Sequence, residues 1–504
     1  MRSYASAAAL SVLAAALLAA PAGAQDRAVT IVLPEGLDIV DPCHVSRSNI
    51  GRVLKQNVVE TLTEIDPEDG SITPRLATGW EQLDDDTWRF QLREGVKFHD
   101  GADFNAEAVK FNIERMLGDA IYCEDKAKFF AGTDLEVEVT DDHTIDVTAT
   151  PPQPILPTLF GTIAIGSPNL PTDELTREPV GTGPYVFAEW RPDRDIVLER
   201  FEDYWGEPPA VEQATYVWRE ESAVRAAMVA AGEADISPTI AAQDATDPEM
   251  DFSYFNSETS RLRISMDVPP LDDVRVRKAV NHLIDREAMI GTIFPEGVVP
   301  AANLVVPSIN GHNPDIEPYS YDPAKAKELL DAARADGVPV DEEIRLIGRL
   351  EVYPNATESM EAILAMLLEG GINASLEMVE VAQWTDLATK PYAEDRPPTL
   401  LQSMHDNNNG DAVFTVYYKY HSEGAQSDTD DPELDRKIIE AGAATGEERT
   451  KMFQEIFRIV HDDVVPQVLL YHMVGFSRVH PRLDFTPTLA TNSELQLSQI
   501  SFKE

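Results

Sequence analysis

The chain has 504 residues, with 88 Asp and Glu against 41 Lys and Arg, which gives a formal charge of −47. That balance excludes a nucleic-acid backbone as partner, because such binding needs a basic face that displaces counterions. With 43% apolar and 8% aromatic residues the chain can still bury cores, and its length calls for more than one of them.

The N-terminus reads as a targeting segment. Arg2 is the only charge ahead of the apolar run from Ala7 to Ala20, and Pro21 then leads into Ala22-Gly23-Ala24 before Gln25. This is the small-x-small pattern of a signal-peptidase site, so residues 1–24 are expected to be a signal peptide cut after Ala24. The alternative is an uncleaved anchor, since Tyr4 to Ala24 carries no charge; its Ala-rich, Pro- and Gly-containing make-up speaks against that. No cysteine follows the cut directly, so a lipid anchor is not expected. An exported, periplasmic protein follows. In an oxidising compartment Cys43 and Cys123 read as a disulfide pair, with two separate buried thiols as the alternative.

The pattern along the chain is mixed α and β. Ala28 to Leu33 (AVTIVL) is a strand-type run, and Ile50, Val53, Leu54, Val58 and Leu62 then recur at helical spacing. Trp88, Phe90 and Leu92 alternate with polar residues, as in a half-buried strand. The segments 135–139 and 145–147, joined by Asp141-Asp142-His143, read as a hairpin. Asp322-Pro323 and Asp431-Pro432 each place a capping carboxylate before a Pro at the first helical position. Ala356 to Glu369 reads as a helix stopped by Gly370-Gly371. Pro and Gly are scattered, without a low-complexity linker, which points to intimate lobes joined by short crossovers.

Motifs of catalysis are missing. The sequence holds no His-Glu-x-x-His, no Gly-x-Ser-x-Gly, no phosphate loop ending in Gly-Lys-Ser/Thr and no Cys-x-x-Cys. Gly181-Thr182-Gly183-Pro184-Tyr185 reads as a tight structural turn, because Pro184 removes an amide that a phosphate cradle would use. His99-Asp100 and His461-Asp462-Asp463 lack a third metal ligand in register. The acidic runs at 84–86 and 428–431 lack calcium-loop spacing, so they read as solvated surface.

Several ordered segments carry a family resemblance. They are Pro74-Arg75-Leu76-Ala77 with Trp80, Trp88 through Gly101, Phe104-Asn105-Ala106, Val180 through Tyr185, and Asp203-Tyr204-Trp205. The order continues through Asp272 to Ala279, Asp285-Arg286, Tyr321 through Leu330 and Asp431 through Asp435. Together these resemble the family 5 solute-binding proteins, which serve ABC importers for peptides, nickel and related solutes.

The resemblance implies an α/β, two-lobed periplasmic binding protein fold with an extra inserted subdomain and the ligand between the lobes. Lobe I would comprise 25–54, 170–265 and 477–504, the subdomain 55–169, and lobe II 266–476. Crossovers near Ile264-Ser265-Met266 and Phe476-Ser477-Arg478 would form a hinge that closes on solute. In peptide-binding relatives an Asp of lobe II pairs with the ligand's α-amino group, and the matching segment here runs from Ser403 to Ala412. Asp411 takes the place of that Asp, with His405, Asp406, Asn407, Asn408 and Asn409 beside it; a polar loop capped by its own Asn side chains is the alternative. Arg349 falls within a residue of the Arg that holds a ligand carboxylate in such relatives, and its planar fork suits that task. Trp384, Tyr417 and Tyr418 could wall the pocket, and Ser46 and Arg47 could reach it from lobe I.

The functional expectation is a non-enzymatic, monomeric receptor, without cofactor or bound metal. It would capture a peptide-like or zwitterionic small solute and deliver it to the permease subunits of an ABC importer. Alternatives within the family are a nickel chelate, glutathione, an opine or an oligosaccharide as cargo, or presentation of the ligand to a sensor. An exported hydrolase is the alternative from another class.

Overall fold

The computed structural model describes residues 27–503 apart from Asp69, Ala131, Asp193, Glu351, Pro354, Glu394 and Asn408. The expected signal peptide and Asn408 therefore lie outside the described residues. The AVTIVL run forms β1 (Ala28–Leu33), and α1 (Ser48–Leu54) follows a loop. The helical spacing through Val58 and Leu62 overshoots α1, although both residues are buried. Asn57 ends the helix by donating from Nδ2 to the carbonyls of Arg52 (3.2 Å) and of Leu495 (2.8 Å), and Gln56 turns to a φ of 59°.

A four-stranded antiparallel sheet comes next, made of β2 (Ala77–Gln82), β3 (Thr87–Leu92), β4 (Asp134–Asp141) and β5 (Thr144–Thr150) in the order β2-β3-β5-β4. Trp88, Phe90 and Leu92 point into its core, as their alternation predicts. β4 and β5 form the expected hairpin. The helices α2 (Ala106–Leu117) and α3 (Glu124–Phe129) lie between β3 and β4 in the chain.

The strands β6 (Tyr185–Arg191), β7 (Asp195–Arg200), β8 (Gln213–Trp218) and β9 (Ile236–Ile240) join β1 in a sheet ordered β6-β7-β8-β1-β9. This sheet runs on without a gap into the second lobe, from β9 to the returning strand Gln467–Val479 and then to β10 (Asp251–Ile264). That lobe contains α4 (Val274–Leu283), α5 (Pro323–Ala335), β11 (Ile344–Arg349), α6 (Ala356–Glu369), β12 (Ala374–Val379) and α7 (Val381–Ala388). It continues with β13 (Thr399–Asp406), α8 (Val413–Tyr420), α9 (Pro432–Ala443), α10 (Gly446–Ile459) and the returning strand β14 (Gln467–Val479). Its strands lie in the order β14-β10-β13-β11-β12, so two long antiparallel strands, β10 and β14, carry the chain from lobe to lobe. Asp322 and Asp431 cap α5 and α9 through backbone amides, as their Asp-Pro pairs predict.

At the expected crossovers Ile264 is buried in the core of lobe II, and Phe476 is paired on both sides, with Ile240 and Ser253. Pairing of β10 with β14 slips between Phe255 and Thr259, where Ser257 takes a φ of 67°, a costly conformation for a non-glycine residue.

Buried ion pairs lock the subdomain to lobe I. Glu60, fully buried, accepts hydrogen bonds from Arg75 (2.8 Å), Thr182 (2.8 Å), Tyr204 (2.9 Å) and Trp205 (2.8 Å). Arg93 stacks on the Trp205 ring at 4.2 Å. Three of the segments that carry the family resemblance, those with Arg75, Thr182 and Tyr204-Trp205, thus converge on one carboxylate. Gly181 and Gly183 pass so close to the backbone of Asn57 and Val58 that a Cβ would collide at 2.1 to 2.3 Å. His99 completes this turn by bonding the Gly183 carbonyl at 2.8 Å. The second lock is Arg115 on Asp41, both buried, at 2.7 and 3.1 Å. Beside it stands the disulfide between Cys43 and Cys123, with Cα atoms 5.0 Å apart.

Candidate functional site

The strands β11, β12 and β13 run parallel, and their C-terminal ends share one edge of lobe II, next to the slip in β10. In open α/β sheets that edge is where ligands are bound. Six of the described residues singled out from sequence, Arg349, His405, Asp406, Asn407, Asn409 and Asp411, come from its strand ends and the loop that follows.

Asp411 does not offer its carboxylate to that edge. It is 3% exposed, and four protein donors occupy its oxygens: Arg449 Nε (2.8 Å) and Nη2 (2.7 Å), Asn310 Nδ2 (3.0 Å) and the Val413 amide (2.9 Å). A carboxylate has about four acceptor positions, so none remains for a ligand ammonium. The neighbouring loop is likewise closed on itself. Asn407 is buried and donates to the Asp411 carbonyl (3.0 Å) and to Thr415 Oγ1 (2.8 Å), while its Oδ1 accepts the Asn409 amide (3.1 Å). His405 points inward to Thr415 Oγ1 at 2.7 Å, and burial among Lys419 and Arg261 holds its ring neutral. The loop capped by its own Asn side chains, weighed as the alternative from sequence, is what these bonds describe.

Asp406 is the open carboxylate. It ends β13 as an exposed residue, and its Oδ1 accepts Ser257 Oγ. Directly across the strand pair stands Glu258, whose Oε2 accepts from Asn256 Nδ2 at 3.0 Å. Burial, with the charge of Asp406 adding to it, pushes the Glu258 carboxyl up to about 7. The slip in β10 thus sets two acidic side chains side by side without a buried cation between them. Sequence reading missed Glu258, because nothing local links it to a residue 148 positions later; a carboxylate in the otherwise strand-like run 252–264 is the one available signal.

Arg349 ends β11. Its amide donates to Gln402 Oε1 at 2.8 Å, its guanidinium lies 5.3 Å from the centroid of the Trp384 ring, and its Nε finds no acceptor. Trp384 is itself packed, with Nε1 donating to the Gln402 carbonyl at 2.6 Å, so it supports Arg349 from beneath. Tyr417 and Tyr418 lie 40% exposed on α8, and Tyr417 stacks on His421 at 4.5 Å.

On lobe I, Arg47 pairs with Asp38 at 3.2 Å, and the Ser46 amide donates to Asp125 at 3.2 Å. Asp125 lies in α3, two residues past Cys123. Burial pushes its carboxyl up to about 7, and its Oδ2 has no donor. The same helix reaches lobe II, where Phe129 meets Phe414 edge-on at 6.4 Å. A separate cavity of about 480 Å³ opens on lobe II around His312 and His472, lined by none of the residues expected to bind ligand but by Asp285, Arg286 and Tyr321 of the resemblance segments. Among the described residues no cluster of His, Cys, Asp and Glu could hold a metal ion.

The bacterial extracellular solute-binding proteins, family 5 Middle, match residues 71–427. The chain belongs to this family. It is a family of binding proteins for transport. Heme-binding protein A of Haemophilus influenzae is 28% identical over 467 residues, covering 85% of this chain and 84% of its own length. The dipeptide-binding protein of Escherichia coli is 26% identical over 450 residues, covering 81% and 82%. In three dimensions the chain superposes on HbpA2 from Haemophilus parasuis with a TM-score of 0.83 at 21% identity, over 95% of this chain and all of the other. The family does not by itself choose between Asp406 and Asp411.

Proposed function

We propose that this family 5 protein is the exported receptor of an ABC importer and holds a small amine-bearing, peptide-like solute between its lobes. The observation that carries the proposal is the open carboxylate of Asp406 beside Glu258 at the junction of β10 and β13. A solute ammonium placed there removes the like-charge conflict and lets Glu258 ionise, a gain that a neutral solute does not supply. By register, Arg349 stands level with about Ser403, three residues short of Asp406, so strand rise separates the two by roughly 10 Å. That odd offset puts the two side chains on opposite faces of the sheet, so Asp406 and Glu258 carry the proposal and Arg349 is not placed to take the carboxylate of the same short peptide.

The names of its relatives support a small transported cargo, with a dipeptide binder among them. Lobe I would be closed by the slip at 256–258 in β10, and not at Ile264–Met266 as its sequence suggests. The protein would act as a monomer without catalysis, be cut after Ala24, and hand its cargo to membrane permease subunits. Native mass spectrometry of gently purified protein tests the reading. A retained mass that fits a small peptide or another amine-bearing solute supports it, and a retained neutral sugar would overturn it.

A further inference from the structure

Lobe II buries more positive than negative charge in one place. Because side chains of a strand alternate, Arg261 and Arg263 project from the same face of β10, between the sheet and α8. Arg261 is 2% exposed, Arg263 4% and Lys419 of α8 5%. Arg396 joins them from the loop before β13. The carboxylates that meet this group are Asp428, which accepts from Arg263 (2.6 Å) and Arg396 (2.8 Å), and the exposed Asp267 on Arg396. Three guanidiniums thus face two carboxylates before Lys419 is counted.

The imbalance is local to Arg261. Its Nη1 donates to Gln467 Oε1 at 2.6 Å, and Gln467 in turn donates to Tyr420 Oη at 2.5 Å. Its Nε and Nη2 have no acceptor. These are the two parallel N–H groups of the guanidinium's long edge, the edge with which Arg449 grips Asp411 and Arg478 grips Asp251. In Arg261 the same edge is buried and open, and the groups around it are Arg263, Lys419, His405, Tyr420, Tyr392 and Asp428. Lys419 is already committed to Gln426, and His405 to Thr415. Buried charge without a counter-charge is strongly disfavoured, and buried donors without acceptors call for an ion or an ordered water.

We propose that lobe II binds a small monovalent inorganic anion, of halide size, on the Nε–H and Nη2–H edge of Arg261 within the positive field of Arg263. The anion would balance the excess charge and pin α8 to β10, behind the strand end that carries Asp406. It is a resident part of the lobe and distinct from the transported solute, because Arg261 is only 2% exposed. A neutral water would satisfy the donors without balancing the charge.

Bromide is the probe. Crystals of the wild-type protein grown or soaked in sodium bromide should show an anomalous difference peak at the Nε and Nη2 edge of Arg261. Thermal melting in sodium chloride or bromide should rise by a few degrees, saturably, over sodium gluconate at equal ionic strength, and Arg261→Met should abolish that halide increment. If the variant fails to fold, the wild-type bromide map still decides. Density for an oxygen at that edge without anomalous signal, or equal melting temperatures in all three salts, would overturn the proposal.

Discussion

Asp406 and Asp411 stand five residues apart in one loop and do opposite things. Asp411 is saturated by four protein donors and holds α8 and α10 together through Arg449. Asp406 is exposed, spends one oxygen on Ser257 and stands across from a Glu258 whose charged form it disfavours. The difference teaches that type and spacing of residues cannot tell a structural carboxylate from a binding one. What separates them is how much of the acceptor capacity the protein has already filled.

The comparison can be broken from the Asp411 side first. Arg449→Met strands a buried carboxylate and should cost about 3–5 kcal/mol of stability, read as a large fall in melting temperature; a change within error would show that Asp411 is not the saturated partner. Reduction of the Cys43–Cys123 bond, which closes a separation of 80 residues, should remove about 2–4 kcal/mol. Thiol labelling of denatured, unreduced protein should find no free cysteine.

From the other side, Asp406→Asn should weaken an amine-bearing solute by roughly ten- to a hundredfold while leaving the melting temperature nearly unchanged, since the residue is exposed. Affinity lost together with stability would make Asp406 another scaffold residue.

The smallest effect is in pH. Glu258 sits near 7 in the folded protein against an ordinary value of 4.5, so the folded state holds its proton more tightly than the unfolded one. Its contribution to stability is therefore full below about 4.5 and is lost as pH rises to about 7, on the order of 1–2 kcal/mol. Asp125 adds in the same direction. Glu258→Gln should flatten its share of that slope, and should also flatten a rise in amine affinity between pH 6 and 8, which are bounds of roughly one unit around that carboxyl.

Legibility followed the range of the interaction. The caps Asp322 and Asp431 act on amides two or three residues away, and Gly371, at a φ of 84°, ends α6 where its sequence says. The alternation at Trp88, Phe90 and Leu92 reported its own burial. The helix begun at Ile50 was overrun because Val58 and Leu62 are buried for a different reason, after Asn57 has already turned the chain. The pairs that decide the site are separated by 38 residues for Asp411 and Arg449 and by 148 for Glu258 and Asp406. No local pattern encodes them; only the strand register brings them together. Of the family segments, those with Arg75, Thr182 and Tyr204-Trp205 meet at Glu60, a buried contact that says nothing of the cargo.

The excess of negative charge takes its place in this account as a solubilising exterior, while the charge that matters is inside: a saturated pair at Asp411, an open pair at Asp406 and Glu258, and a cationic pocket at Arg261.

The most direct test of the central claim is calorimetric titration with a panel of di- and tripeptides and their N-acetylated forms, on the wild type and on Asp406→Asn. The account predicts that acetylation of the amine and loss of the Asp406 charge each weaken binding, and that the two losses do not add, because they remove the same contact. Losses that add in full, or tight binding of acetylated peptides by the wild type, would contradict it.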